Sequence, residues 1–157
     1  LFQTKDQVNK TYWAVVDKRP PKYTDTLEHY LIKNQEQNRS YGYTEHRQGS
    51  KLASLTYRHV ASIERYHLLE IELHTGRHHQ IRVQLRQLNL HIKGDLKYGF
   101  RRPNLDRGIH LHARKIEFVH PVKKEMLTII AEPPDDVVWN EFMKLFRNNR
   151  FSPVNLV

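Results

Sequence analysis

The sequence predicts an α+β domain: a mixed, mainly antiparallel β-sheet with inserted helices. Three observations predict it. Several runs are β-branched or aromatic, and turn-like breaks separate them. After one such run the apolar period switches from that of a strand to that of a helix. A second amphipathic helical pattern follows the last run, and no internal repeat or low-complexity segment interrupts the order.

Taken in chain order, Tyr12 to Val16 reads as a strand that stops at the Pro-rich turn "DKRPPKYTD". "TLEHYLIK", Thr26 to Lys33, carries Leu27, Tyr30 and Leu31 at i, i+3 and i+4 behind Asp25 or Thr26, which predicts a short capped helix. "NQEQNRSYGYTEHRQGSK" is polar, contains Gly42 and Gly49, and reads as a loop. Lys51 to Ile63 alternates, with Leu52, Ser54, Thr56 and Arg58 opposite Ala53, Leu55, Tyr57 and His59, as in a strand with one wet face. Tyr66 to Thr75 is a second strand, joined to it through "IERY".

Ile81, Leu85 and Leu88 then form one helical stripe, and His78, Arg82 and Arg86 form another on a different face. Like charges at that spacing cost a few tenths of a kcal/mol per pair, which a phosphate would relieve. "GIHLHARKIEFVHP" and "KEMLTIIAEPP" read as two antiparallel strands joined at His120-Pro121. In "PPDDVVWNEFMKLF" the prolines, then Asp135 and Asp136 in a first turn, then Val138, Phe142 and Leu145 predict an amphipathic helix.

At 157 residues the chain suits one domain with a real core. It has no cysteine, so disulfides, thiolate zinc sites and cysteine nucleophiles are excluded. No apolar run approaches the roughly 18 residues that span a bilayer, and no secretory leader pattern opens the chain. These features predict a soluble, cytoplasmic protein without a membrane partner. Lys plus Arg total 26 against 17 Asp plus Glu, a formal charge of +9 and a pI near 9.8. Such a balance points to a nucleic-acid partner. Between Arg77 and Arg102 there are seven Lys or Arg and one acid, Asp95, whereas Glu132, Asp135, Asp136 and Glu141 gather near the C-terminus.

The eleven histidines do not suit a metal site. His78 and His79 would point about 100° apart on a helix. His110 and His112 share a strand face with no carboxylate close in sequence, and no His-Glu-x-x-His pattern occurs. Neither a Gly-x-Ser-x-Gly elbow nor a phosphate-binding P-loop is present.

The segment "HTGRHHQIRVQLRQLNLHIKGDLKYG" carries Thr75, Gly76, Arg77, His79, Gln80, Ile81, Arg82 and Val83, then Ile92, Gly94, Asp95, Tyr98 and Gly99. This resembles the signature of the RluA-type RNA pseudouridine synthases: Thr-Gly-Arg-x-His-Gln-Ile/Leu-Arg-Val followed by an apolar residue, x, Gly-Asp-x-x-Tyr-Gly. "NKTYWAVV", "KLASLTYRHV" and "LHARKIEFVHPV" resemble the flanking strands in the same order. His78 and Gln84 differ from the residues common in that family.

The resemblance implies isomerisation of uridine to pseudouridine in ribosomal or transfer RNA, without a cofactor or metal. The reaction breaks the N1–C1′ bond, turns the uracil and joins C5 to C1′, after the base has left its stack. It further implies that Tyr12 stacks on the base and takes part in proton removal, and that Arg82 pairs with the catalytic carboxylate. Arg77, His79 and Gln80 then suit phosphate and base-edge contacts, and Arg86 and Lys93 suit phosphates. Asp95 is expected to accept backbone N–H groups in the turn after Gly94.

The family's His-Arg-Leu-Asp segment, which holds the catalytic aspartate, has no match here. Leu105-Asp106-Arg107 mimics it in the wrong order, so Asp106 reads as a turn residue. Leu1 is not Met, and "KTYWAVVD" already reads as an interior strand. Residues 1–157 are therefore expected to be the C-terminal portion of one catalytic domain, inactive alone, with its aspartate upstream of residue 1. The same residues also suit a module that binds RNA without catalysis.

Overall fold

The computed structural model describes residues 8–148. Seven strands form one sheet: β1 (Asn9–Val16), β2 (Thr24–Asn34), β3 (Arg39–Tyr43), β4 (Lys51–Ile63), β5 (Tyr66–Leu73), β6 (Leu111–Val119) and β7 (Met126–Ile130). Their order is β3-β2-β4-β5-β1-β6-β7, and every pairing between described strands is antiparallel. Two helices complete the α+β fold, α1 (Gln80–Gln87) after β5 and α2 (Val137–Asn148) after β7.

Each helix covers one side of the sheet. Ala14, Val16, Leu55, Ile71, Ile81 and Leu85 pack together on the α1 side. Trp13, Val15, Leu68, Trp139, Phe142 and Phe146 pack on the α2 side. Residues 13–16 of β1 are therefore wholly buried, which is why "WAVV" is continuously apolar rather than alternating. The indole N–H of Trp13 donates to Glu70 Oε2 at 3.2 Å, and the Arg58 guanidinium donates to Glu70 Oε1 at 2.8 Å. That pairing allows a carboxylate to sit 7% exposed beside the core.

Five expectations need correction. Residues 26–33 are not a helix but lie inside the strand β2. The i, i+3, i+4 set of Leu27, Tyr30 and Leu31 overlaps a period-two set, Leu27, His29 and Leu31, and it is the latter that is buried. A polar His29 in the middle of that face hides the alternation in the sequence. The stretch read as a loop contains β3, whose edge pairing with β2 rests on backbone hydrogen bonds rather than apolar side chains.

His78 lies outside α1, because the helix starts only after His79, which adopts a left-handed conformation (φ 54°, ψ 27°). The expected stripe of three stacked cations does not form. In α2 the buried set is Trp139, Phe142, Met143 and Phe146, while Val138 and Leu145 pack only partly. Asp135 and Asp136 precede that helix instead of occupying its first turn. Asp136 caps it, its Oδ2 accepting the N–H groups of Val138 and Trp139, each at 3.0 Å.

The hairpin read at His120-Pro121 is present as β6 and β7. Asp106 is a turn residue, its Oδ1 accepting the Gly108 N–H at 2.8 Å.

Candidate active site

The Thr75–Gly76 turn sets the start of α1 through a chain of buried amides. Thr75 Oγ1 donates to Gln80 Oε1 at 2.8 Å, and the same oxygen accepts the Arg77 backbone N–H at 2.9 Å. Gln80, the first residue of α1, thus ties the start of the helix back to the turn that precedes it. Gln80 Nε2 donates to Ser54 O at 3.0 Å and Gln84 Oε1 at 2.9 Å. Gln84 Nε2 in turn faces Leu27 O, Ala53 O and His29 Nδ1 at 2.9–3.2 Å. Glutamine thus serves position 84 by tying α1 to β2 and β4. Gln80, expected to contact RNA, is part of the same chain of amides. That side chain is 3% exposed, and its amide is consumed by Thr75, Arg77, Ser54 and Gln84.

Arg82, two residues into the helix, meets Asp95 side-on. Nε donates to Oδ2 at 3.0 Å and Nη2 to Oδ1 at 2.8 Å. The Asp95 carboxylate therefore holds a guanidinium rather than the amides of its own turn, which corrects the expected role. Gly94 makes this course possible. Its φ is +88°, and a Cβ there would lie 2.8 Å from Gly108 O. Nη1 of Arg82 has no hydrogen-bond partner among the described residues.

Tyr98 organises the other side of the site. Its hydroxyl accepts the Ser40 N–H at 2.9 Å and lies 2.7 Å from His79 Nδ1. The Arg82 and Arg39 guanidinium carbons lie 4.8 and 5.0 Å from its ring centroid. Burial raises the Tyr98 pKa, so the phenol keeps its proton. The one acceptor within reach of that proton among the described residues is His79 Nδ1. The network therefore assigns the Nε2–H tautomer to His79.

Burial, then the charges of Arg82, His78 and Lys97, lower the His79 pKa to about 4. His79 is thus a neutral imidazole with Nε2–H as its donor. His78 stacks on it at 3.8 Å, and its two ring nitrogens are taken up by Ser40 Oγ and Asn38 Oδ1. Burial and then Lys33, Arg82 and Lys97 lower the His78 pKa as well.

These elements enclose a cavity of about 270 Å³ lined by Tyr12, Arg77, His79, Gln80 and Arg82 over an apolar wall of Leu73, Ile81, Ile109 and Leu111. A few polar groups over an apolar wall is the usual make-up of a small-ligand pocket. Tyr12 enters it from β1 between Ile71 of β5 and Ala113 of β6, next to a register shift at Thr11/Tyr12. Such irregularities re-aim side chains. Arg77 is held by a 2.9 Å bond from Nε to Leu52 O. No carboxylate lines the cavity among the described residues.

Two expected members lie elsewhere. Arg86 is exposed in the last turn of α1 and does not line the cavity. Lys93 donates to Asn104 Oδ1 at 2.6 Å, and its backbone N–H bonds Val15 O, three residues along β1 from Tyr12. Ser40 has no sequence signal, because it sits in the stretch read as a loop. Tyr98 could have been found from its place in the signature. A groove of about 360 Å³ near Arg58, Glu70, Glu72 and Glu117 contains the Arg58–Glu70 pair and is acid-rich, unsuited to a polyanion. Among the described residues no three His, Asp or Glu form a metal-holding group, and no helix is long and apolar enough to cross a membrane.

Comparison with known proteins is consistent with this geometry. The family model of RNA pseudouridylate synthases matches residues 1–87. The RNA pseudouridine synthase YhcT of Bacillus subtilis is 48% identical over 71 residues, 45% of this chain and 22% of the relative. Ribosomal large subunit pseudouridine synthase D of Neisseria meningitidis is 37% identical over 93 residues, 50% of this chain and 25% of the relative. The chain spans between 22% and 42% of the length of the curated relatives it matches. The solved structure of human RNA pseudouridylate synthase domain containing 1 shares the fold. Its TM-score is 0.66 at 22% identity, over 94% of this chain and 67% of that one. The chain belongs to the RNA pseudouridylate synthase family, and its signature segment is of the RluA type.

Proposed function

We propose that residues 1–157 are the C-terminal portion of a single catalytic domain that isomerises uridine to pseudouridine in ribosomal or transfer RNA. One observation carries the reading: Tyr12, from β1, and Arg82, from α1, line the same small cavity together with Arg77 and His79. A flipped uracil enters against the apolar wall and stacks on Tyr12. Neutral His79 offers its Nε2–H to a uracil carbonyl, and Arg77 meets the backbone phosphate. Asp95 holds Arg82 from the side of Nε and Nη2, leaving Nη1 to orient the catalytic carboxylate and keep it ionised. That carboxylate comes from outside residues 8–148, since none lines the cavity there.

The missing carboxylate also supports a second reading, an RNA-binding module without catalysis. Tritium release from RNA labelled at uridine C5 separates the two. A protein in which a His-Arg-Leu-Asp segment precedes these residues is expected to release tritium, and the 157-residue chain alone is not. No release from the longer protein would favour the binding module. Release by the chain alone would refute the assignment of the carboxylate to a segment outside it.

A further inference from the structure

A second cavity adjoins the first. It measures about 350 Å³, and Arg77 lines both. Its other polar walls are Lys33 from β2, Lys51 from β4, His78 and Ser40, and no carboxylate lines it among the described residues. Both lysines lie outside the signature segment.

Strand register brings the two lysines together. Lys51 lies opposite Leu31 on β2, and Lys33 is two residues further along. The two are thus a diagonal pair on one sheet face, about 7–8 Å apart. Leu31, which lies between them, packs with Val83 of α1. The lysines therefore lie on the α1 side of the sheet, the side Tyr12 also faces. Neither lysine, nor Arg77, pairs with a carboxylate among the described residues. Gly76 borders open space, where an added Cβ would meet nothing within 4 Å. Three unneutralised cations converging on an open groove repel one another, and an anion between them removes that cost.

We propose that this groove is a phosphate subsite: Lys33, Lys51 and Arg77 hold the phosphodiester of the nucleotide next to the one whose base enters the Tyr12–Arg82 cavity. The inference rests on the RNA-modifying function proposed above and adds the path of the strand. Arg77, fixed by Leu52 O, stands at the junction of base cavity and backbone groove. The contact is to the backbone, so it adds affinity and register but carries no base preference.

The test is the salt dependence of binding, followed by fluorescence anisotropy of a labelled single-stranded oligouridylate. The native chain, a Lys33→Ala/Lys51→Ala double variant and a Lys123→Ala/Lys144→Ala control are compared. Lys123 and Lys144 are exposed, on the β6–β7 turn and on α2. One phosphate contact contributes about 0.7 to the slope of log K against log salt for a single strand. The double variant is expected to lose about that much slope, and the control none. A native chain that binds with strong salt dependence, and a double variant whose slope matches the control, would overturn the subsite and leave the proposed function standing. A native chain with no affinity for the RNA would overturn the subsite, while the proposed function would still be decided by tritium release from the longer protein.

Discussion

Arg82 and Asp95 hold each other in a side-on pair, through contacts of 3.0 and 2.8 Å, with the Asp95 carboxylate only 2% exposed. The pair fixes the plane of a guanidinium whose other edge is free, beside the ring of Tyr98. An arginine that must orient a second carboxylate needs such a holder, because its long side chain otherwise samples many rotamers.

Removing the holder should be costly. Asp95→Ala leaves a half-buried guanidinium without its counter-charge, and breaking one side of a buried pair costs about 3–5 kcal/mol. Urea unfolding of native and variant chains measures it. A loss under about 1 kcal/mol, the range of exposed pairs, would mean that Asp95 does not constrain Arg82.

The tautomer of His79 is directly observable. Long-range proton–nitrogen spectra at neutral pH should show a bare Nδ1 and a protonated Nε2, and Tyr98→Phe should release that preference. The pH dependence follows from the lowered pKa. The folded state binds fewer protons at His79 than the unfolded state between 6.5 and about 4. Stability from this group is therefore complete above 6.5 and is lost as pH falls toward 4. Native protein should lose stability relative to His79→Gln across that window. Parallel pH profiles for the two proteins would contradict the neutral-donor assignment.

The buried amide chain predicts a third cost. Gln84→Leu keeps the volume but leaves Gln80 Nε2 without one of its two acceptors and removes the donor facing Leu27 O, Ala53 O and His29. Unsatisfied buried polar groups cost about 1–3 kcal/mol each. A chemical-denaturation loss in or above that range is expected, and a neutral substitution would show that α1 is not anchored through Gln84.

β4, β5, α1 and the β6–β7 hairpin were legible in the sequence, β4 from its alternation, α1 from its apolar stripe, and β5, β6 and β7 from apolar runs bounded by turn residues. So was the shared neighbourhood of Tyr12, Arg77, His79 and Arg82, through the resemblance of both the signature segment and the strand "NKTYWAVV". β2 was not, since a buried histidine bonded to Gln84 looks polar in sequence. β3 was not either, because its pairing is made by the backbone. The roles of Gln80 and Asp95 depend on partners that register and helix start bring together, Ser54 and Arg82, at sequence separations no local pattern encodes. Lys33 and Lys51 escaped for the same reason, being neighbours only across β2 and β4.

The most direct test of the central claim is Arg82→Lys in a protein that also carries the His-Arg-Leu-Asp segment, with single-turnover isomerisation and RNA affinity measured on the same variant. Lysine keeps the charge but loses the planar fork that Asp95 holds. If Arg82 orients the catalytic carboxylate, a misplacement near 1 Å lowers the rate by a factor on the order of 10² while RNA affinity stays nearly constant. An unchanged rate would contradict that role, since lysine also binds phosphate as a point charge, and would leave the cavity as an RNA contact alone.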